Sequence, residues 1–231
     1  MKYVVLFLMI TAAAAFSTVL FSDNFDDGNA DGWLEIPSGA DYNVVSGRYT
    51  FFHSGPDSVF AASGNSDLAG SMSVADYSCR ANLISTQGDI SGLVIRTNPY
   101  LETGYGFFLN FESNVIMLMR GEGLGQGTML SYQVLPLAQD QEYWMRFEIN
   151  GDLMGAKIWT GAAGDEPSVW NLTATDSSYP DPGIIGLFSW DDNSGGTAIT
   201  EVSFDDVEVT DEITLVMENA TWADIKTLYG Q

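Results

Sequence analysis

The side chains able to carry covalent or acid–base chemistry are few in this chain of 231 residues. His53 is the single histidine and Cys79 the single cysteine, which is too few nitrogen and sulfur ligands for a zinc or iron site. No Gly-x-Ser-x-Gly sequence presents a nucleophilic serine. The glycine-rich segment 121–127 carries Glu122 and precedes no helical pattern, so it does not predict a phosphate-binding loop. These observations argue against nucleophilic and phosphoryl-transfer enzymes.

Carboxylates dominate the charged residues, with 31 Asp and Glu against 8 Lys and Arg and a formal net charge of −23. Such a surface repels phosphate backbones and anionic lipids, so neither nucleic acid nor a membrane surface is expected as a partner. It favours divalent cations instead. A single cysteine cannot form an intramolecular disulfide. Because Cys79 lies in an alternating segment, we predict that its thiol is buried and inert.

Arginine and aromatic residues occur together in several segments, a combination that suits the recognition of sugars. Aromatic rings stack on the C–H faces of sugars, and planar guanidinium groups donate to hydroxyls or to the carboxylate of a uronic acid. The alternative is that the arginines neutralise neighbouring acids, while Trp33, Trp159 and Trp170 belong to the core or its rim. The residues predicted to bind a polysaccharide or glycan on one open face are Arg96, Tyr105, Arg120, Trp144, Arg146 and Trp190.

Alternating apolar and polar residues recur through most of the chain, whereas helical periodicity is almost absent. In one such segment Met145, Phe147 and Ile149 share a face, and the Asn150-Gly151 pair that follows is typical of a hairpin turn. Strands separated by Gly, Asn and Asp turns predict a β-sandwich or barrel. The clearest predicted strands cover residues 91–96, 104–111, 114–120, 129–134, 143–149, 153–160, 184–190 and 202–204.

The two ends of the chain differ from its middle. Lys2, the apolar run 3–10 and the alanines that follow predict a secretory signal peptide, and a membrane anchor is the alternative. At the other end Trp222, Ile225 and Leu228 have helical spacing, which predicts a short amphipathic α-helix. The predicted organisation is a signal peptide over 1–20, one domain over 21–210, and a tail over 211–231 that contains the helix.

The segment 21–28, with Asp31-Gly32-Trp33 just after it, resembles the opening of bacterial laminin-G-like domains, which are jelly rolls of the concanavalin A-like kind. Segments 143–151 and 157–159 are similar to later strands of that family, and 204–209 is similar to its closing strand. The resemblance covers residues 21–210 and implies an all-β, two-sheet antiparallel jelly-roll sandwich. Lectins, carbohydrate-binding modules, adhesion domains and glycosidases all occur on this fold, so the fold alone does not decide the function.

The same resemblance implies a structural calcium ion where the first and last strands meet. Acids from both chain ends would then lie close together, and clustered carboxylates repel one another unless a cation lies between them. Ca²⁺ accepts about six to eight oxygen ligands in a flexible geometry. The alternative is a solvated acidic face, and the loop 191–196 is either a second site or an Asx-rich turn. The predicted calcium ligands are Asp23, Asp26, Asp205 and Asp206.

An enzyme on this fold would need two carboxylates on opposite sides of a glycosidic bond. The retaining β-glucanases of the fold carry Glu-x-Asp-x-x-Glu on one strand, whereas segment 201–208 has acids at a different spacing. Domains of the 3-keto-disaccharide hydrolase type have a similar opening, and His53 with a carboxylate would be their acid–base pair here. We expect a secreted or cell-surface, lectin-like module that binds carbohydrate and a structural calcium ion. Such a hydrolase, or a structural or adhesive protein that binds other proteins, is the alternative.

Overall fold

The computed structural model describes residues 17–65, 73–98, 100–122, 127–193 and 196–215. The regular structure of these residues is almost entirely β, with one 3₁₀ turn over Ala163–Asp165. The predicted C-terminal helix and residues 1–16 of the predicted signal peptide lie outside the described residues. Within them, no helix has both the length and the apolar character that crossing a membrane requires.

Fifteen strands follow one another along the chain. They are β1 (Val19–Asp23), β2 (Trp33–Glu35), β3 (Asp41–Val45), β4 (Arg48–Gly55), β5 (Val59–Asn65), β6 (Tyr77–Gln87), β7 (Ile90–Thr97), β8 (Gly104–Asn110), β9 (Val115–Gly121), β10 (Gly127–Val134), β11 (Glu142–Asn150), β12 (Leu153–Trp159), β13 (Leu172–Thr175), β14 (Ile184–Asp191) and β15 (Ala198–Thr210).

The strands form two antiparallel sheets. Sheet A has eight strands in the order β13-β12-β11-β6-β15-β4-β3, with β1 pairing beside them on β15. Sheet B has seven strands in the order β10-β9-β8-β7-β14-β5-β2. Neighbours in the sheets come from distant parts of the chain, as when β15 lies between β4 and β6. This arrangement confirms the predicted two-sheet antiparallel jelly-roll sandwich.

The core lies between the sheets, where the inward-facing residues of each strand meet. Phe107 of sheet B packs against Phe147 of sheet A with their ring centroids 6.1 Å apart. Phe147 and its same-face neighbours Met145 and Ile149 are fully buried, as the alternation predicts. The predicted hairpin is also present, because Asn150 pairs with Leu153 across the turn. Burial of this apolar surface is the main source of stability.

The residues predicted to be structural occupy the core and its rim. Trp33 and Trp159 are each 8% exposed. Trp170 lies at the rim, where its ring covers the Lys157 ammonium group at 4.4 Å. Cys79 is fully buried, and burial raises the pKa of its thiol to about 12. The thiol therefore stays protonated and inert at neutral pH, as predicted.

Candidate ligand-binding groove

A groove of about 310 Å³ crosses the outer face of sheet B. Its lining alternates with core residues along each strand, since Phe108 faces the groove while Phe107 and Leu109 are buried inside. The volume is near the lower end of ligand pockets, which suits a small ligand or a short segment of a polymer. The groove is lined by Ile90, Val94, Leu101, Thr103, Gly104, Gly106, Phe108, Asn110, Met117, Met119, Gly121, Met129, Phe188 and Trp190.

The aromatic part of the groove depends on a glycine. A Cβ atom at Gly106 would lie 2.1 Å from the Phe108 ring, so the ring occupies space that only glycine leaves open. Phe108 also packs edge-on against Phe188, with ring centroids 5.5 Å apart. The two rings come from β8 and β14, on either side of β7. They form a fixed aromatic surface near the centre of the sheet.

At one end of the groove, one residue from each of three neighbouring strands lies in a row across the sheet. Ile90 of β7 pairs with Asn110 of β8 on one side and with Trp190 of β14 on the other. All three residues line the groove. Trp190 is the aromatic side chain at this end, and Asn110 supplies a polar amide. The row therefore combines a ring that can stack on a ligand with a hydrogen-bonding group beside it.

Acidic side chains lie just beyond this end of the groove. Asp89, Glu112 and Asp192 each place a carboxylate oxygen within 4.8 Å of the others. Each follows or precedes a residue of the aligned row by one or two positions, so three different loops supply the three acids. Among the residues that the structure describes, this is the one group of three or more potential metal ligands at such distances.

The electrostatics of this acidic group favour a cation. Burial, together with the charges of Asp191, Asp192 and Glu112, raises the pKa of Asp89. The backbone N–H of Asp192 opposes this shift by donating to Asp89 Oδ2 at 2.9 Å. Several carboxylate oxygens in one place suit Ca²⁺, which accepts oxygen ligands in a flexible geometry. The residues present therefore fit a calcium ion.

The acids predicted from the family resemblance lie at a different place, where β1 pairs with β15. Phe21 is opposite Val209 and Asp23 is opposite Val207, so the two ends of the domain do meet. Both carboxylate oxygens of Asp23 already accept hydrogen bonds. The indole N–H of Trp33 donates to one at 2.8 Å, and the backbone N–H of Phe25 donates to the other at 2.9 Å.

The other three acids of this seam, Asp26, Asp205 and Asp206, lie near one another, and the Arg48 guanidinium lies beside them. Arg48 donates to Asp205 at 3.4 Å, and the Asp206 backbone N–H donates to Asp205 at 2.7 Å. Burial and the charges of Asp206 and Asp26 raise the pKa of the Asp205 carboxyl, against the effect of that N–H and of Arg48. Asp26 accepts from the Asn24 amide at 2.8 Å. A calcium ion at these four acids stays a prediction.

Two of the predicted ligand-binding residues are internal to the fold. The Arg96 side chain is 1% exposed, and it donates to the carbonyl oxygens of Ala75 and Gly151 at 2.8 Å and to Asp76 at 2.9 Å. Tyr105 is fully buried in the core. Arg96 has a φ of 47° at the end of β7, where the register with β14 shifts, and this irregularity moves its side chain out of the alternation of the strand.

Arg120 lies near Tyr105 and shares a partner with it. The Arg120 guanidinium is 3.0 Å from the Asp176 carboxylate and 2.8 Å from that of Glu122. The Tyr105 hydroxyl donates to Asp176 at 2.9 Å. Three predicted residues, Arg96, Tyr105 and Arg120, thus lie near one end of sheet B and already have partners.

Trp144 and Arg146 belong to β11, and hence to the other sheet. The Trp144 ring stacks on Trp159 at 6.1 Å, and Arg146 is 3.3 Å from both Glu148 and Glu166. The six residues therefore do not share one face, contrary to the expected convergence, because alternation along a strand does not reveal which sheet the strand joins. Trp190 is the member of the set that lines the groove. A role of these six residues in ligand binding stays a prediction.

The central rings of the groove, Phe108 and Phe188, were not among the predicted ligand-binding residues. A signal for Phe108 was present, because it falls in the phase opposite to Phe107 and Leu109 within one strand. A large apolar residue in the outward phase indicates an apolar outer face. Nothing in the sequence brings Asp89, Glu112 and Asp192 together, since they lie on three separate loops.

No protein-family model matches the chain, and no curated protein matches it. The solved structures similar to it include carbohydrate-binding module CBM66 from Bacillus subtilis, which is 16% identical with a TM-score of 0.57 and covers 77% of this chain and 94% of its own. The exoplasmic/lumenal domain of VIP36, bound to Ca²⁺ and Man3GlcNAc, is 11% identical with a TM-score of 0.58, over 85% of this chain and 90% of its own. Xylan β-1,4-xylosidase from Bacillus halodurans C-125 is 15% identical with a TM-score of 0.56, over 86% of this chain and 40% of its own. At these identities the likeness is one of fold, and this chain is a jelly-roll sandwich of the concanavalin A-like kind.

Proposed function

We propose that this chain is a secreted, lectin-like carbohydrate-binding module whose ligand lies in the groove of sheet B. The observation that carries the proposal is the position of Trp190, Phe108 and Phe188, three aromatic side chains on one open sheet face. Asn110 and Thr103 place polar groups in the same groove. The carbohydrate-binding module and the glycan-bound VIP36 domain with the same fold support this choice, and the signal-peptide pattern of the first residues supports export.

The ligand that suits this groove is a neutral glycan. None of the described residues that line the groove is charged, and the carboxylates at its end would repel an anionic sugar. The arginines that would have favoured a uronic acid, Arg96, Arg120 and Arg146, all have acidic partners at 2.8–3.3 Å. A neutral ligand can instead stack its C–H faces on the rings.

A structural calcium ion is part of the proposal, with Asp89, Glu112 and Asp192 as its ligands. The loops that carry these acids follow or precede the strand ends at Ile90, Asn110 and Trp190, so an ion bound there would hold the end of the groove together. It would also compensate the mutual repulsion of the acids. The Ca²⁺-bound VIP36 domain with a similar fold supports the choice of metal.

The hydrolase alternative has less support. It would need His53 beside a carboxylate, whereas ring atom Nδ1 of His53 lies 2.9 Å from the carbonyl oxygen of Phe60. A neutral ring that donates from Nδ1 to this carbonyl keeps Nε2 available as a base. In the described part of the chain, however, no ion pair joins the ring to a carboxylate. Binding without catalysis therefore agrees better with the arrangement of these side chains.

The proposal is tested by comparing two tryptophans on opposite faces of the sandwich. Trp190→Ala should weaken binding to neutral polysaccharides by about tenfold or more, as expected for removal of an aromatic anchor. Trp144→Ala, on the outer face of sheet A, should leave it unchanged. Affinity electrophoresis on xylan, β-glucan, mannan and polygalacturonate, with circular dichroism to check folding, gives the comparison. Retention on none of these polymers, or a loss with Trp144→Ala alone, would contradict the proposal.

A further inference from the structure

Strand β10 forms one end of sheet B and pairs with β9 on its inner side. It is eight residues long, from Gly127 to Val134, and carries no charged residue. Sheet edges are normally protected by short strands, charges or proline, because their free N–H and C=O groups can pair with another chain. The other end strands follow this rule, since β2 has three residues, β13 has four, and β3 begins with Asp41. The edge at β10 has none of these three devices, although its pairing with β9 shifts register between Met129 and Ser131.

Three side chains of β10 are apolar and exposed. Met129, Tyr132 and Val134 are 51%, 62% and 70% exposed, and they are three of eight such large hydrophobic residues in the described part of the chain. Met129 pairs with Met119 and Tyr132 with Met117, two residues of the groove. The apolar surface of the groove therefore continues to the edge of the sheet. Exposed apolar area of this kind marks an interaction surface.

Charge indicates which partner suits this edge. Residues 127–139 are uncharged, in a chain whose net charge is −23. Two copies of so acidic a chain repel each other over most of their surface, and they can approach only where charge is absent. A cationic partner would instead seek the acids, which this edge does not offer. We propose that β10 pairs antiparallel with β10 of a second copy of this chain.

The geometry of such a pair follows from symmetry. Antiparallel pairing of identical strands places a two-fold axis normal to the sheet, so the two seven-stranded sheets form one continuous sheet. Both outer faces then lie on the same side, and both grooves face the same way. The interface does not depend on the proposed function. If the grooves bind a polysaccharide, however, one polymer can engage both, and avidity follows without a new contact.

Sedimentation velocity across protein and salt concentrations tests the pairing. We expect a monomer–dimer equilibrium that strengthens with salt, because screening weakens the repulsion between the acidic chains. Tyr132→Glu and Val134→Glu should each raise the dimer dissociation constant by about tenfold or more, since they oppose like charges at the interface. Val169→Glu is the matched control, because Val169 is 74% exposed and lies outside the strands.

A cysteine scan locates the contact independently. Cys79 is buried, so a cysteine introduced on β10 would be the one accessible thiol in the chain. Met129→Cys, Tyr132→Cys or Val134→Cys should give a disulfide-linked dimer under mild oxidation, strongest at the position nearest the two-fold axis, whereas Val169→Cys should not. A monomer under all conditions overturns the proposal. So does a dimer that tolerates Tyr132→Glu and Val134→Glu, or cross-linking that is equally efficient from Val169→Cys.

Discussion

The buried carboxylate of Glu148 accepts a hydrogen bond of 2.6 Å from the backbone N–H of Thr214. The same carboxylate accepts from the Leu215 N–H and, at 3.1 Å, from the Thr214 hydroxyl, and it is 3.3 Å from Arg146. The segment after the last strand is thereby attached to the outer face of sheet A. A buried charge is tolerated when its hydrogen-bonding capacity is filled in this way.

Replacement of this carboxylate should be costly. Glu148→Ala leaves Arg146 buried with part of its compensation removed and frees two backbone N–H groups, so we expect a loss of about 3–5 kcal/mol in the free energy of unfolding. Urea denaturation measures it. Glu212→Gln is the control, because the Glu212 side chain is 51% exposed and 3.7 Å from Arg146, and it should cost at most about 0.5 kcal/mol. Equal stability of the two variants would show that the contact contributes little.

Acid stability should depend on Asp176. Burial raises the pKa of this carboxyl, but hydrogen bonds from Ser178, Tyr105 and Arg120 together outweigh burial and place the pKa below its usual value. The folded state therefore favours the ionised form. Its contribution to stability is complete above the unfolded-state pKa and is lost as the pH falls through the lower folded-state pKa.

Asp176→Asn should accordingly give a flatter decline of the unfolding free energy below about pH 4. Tyr105→Phe, which removes the donor of one of the three residues, should give an intermediate slope. Urea denaturation in steps from pH 6 to pH 2 provides the profiles. A slope in Asp176→Asn as steep as that of the unchanged chain would mean that other acids account for the acid sensitivity.

Local patterns predicted the elements of this fold well. The two-residue period of 143–149 identified Met145, Phe147 and Ile149 as core residues, and the Asn150-Gly151 pair identified the hairpin, because both signals depend on neighbours within one strand. The buried state of Cys79 followed from the same reasoning.

The candidate site was harder to predict because it depends on contacts between distant segments. Arg96 and Arg146 have the same sequence character, yet one belongs to sheet B and the other to sheet A. Likewise Asp89, Glu112 and Asp192 come together because three loops meet at the same end of the neighbouring strands β7, β8 and β14. Sheet order, which is set by packing over the whole chain, decides such proximities.

If calcium binds at Asp89, adding calcium should reverse which is more stable, Asp89→Asn or the unchanged chain. The pKa of Asp89 is raised by burial and by its acidic neighbours, so its ionised form destabilises the fold at neutral pH. In EDTA, Asp89→Asn should therefore melt at a higher temperature than the unchanged chain. With calcium the order should reverse, because an ion that binds the native state at about 100 times its Kd adds about 2.7 kcal/mol to the unchanged chain alone.

Asp206→Asn separates the two candidate calcium sites in the same thermal melts. If the ion binds Asp89, Glu112 and Asp192, this variant keeps the full calcium response. Loss of the response in Asp206→Asn but not in Asp89→Asn would place the ion at the seam between β1 and β15. If calcium does not change the melting temperature of the unchanged chain, the proposal that this protein binds a calcium ion is wrong.

The glycine beneath the Phe108 ring provides a test that separates folding from binding. In Gly106→Ala the new Cβ would lie 2.1 Å from the ring, which must then leave its place in the groove. Such overpacking should cost about 1–3 kcal/mol of stability, and binding to the neutral glycan should fall by about tenfold. Adding Phe108→Ala to Gly106→Ala removes the clash, so part of the stability should return while binding stays weak. Calorimetric melting and titration give both quantities for the single and double variants. If the double variant were no more stable than Gly106→Ala, the obstacle would lie elsewhere, and if both bound glycan normally, Phe108 would have no part in the site.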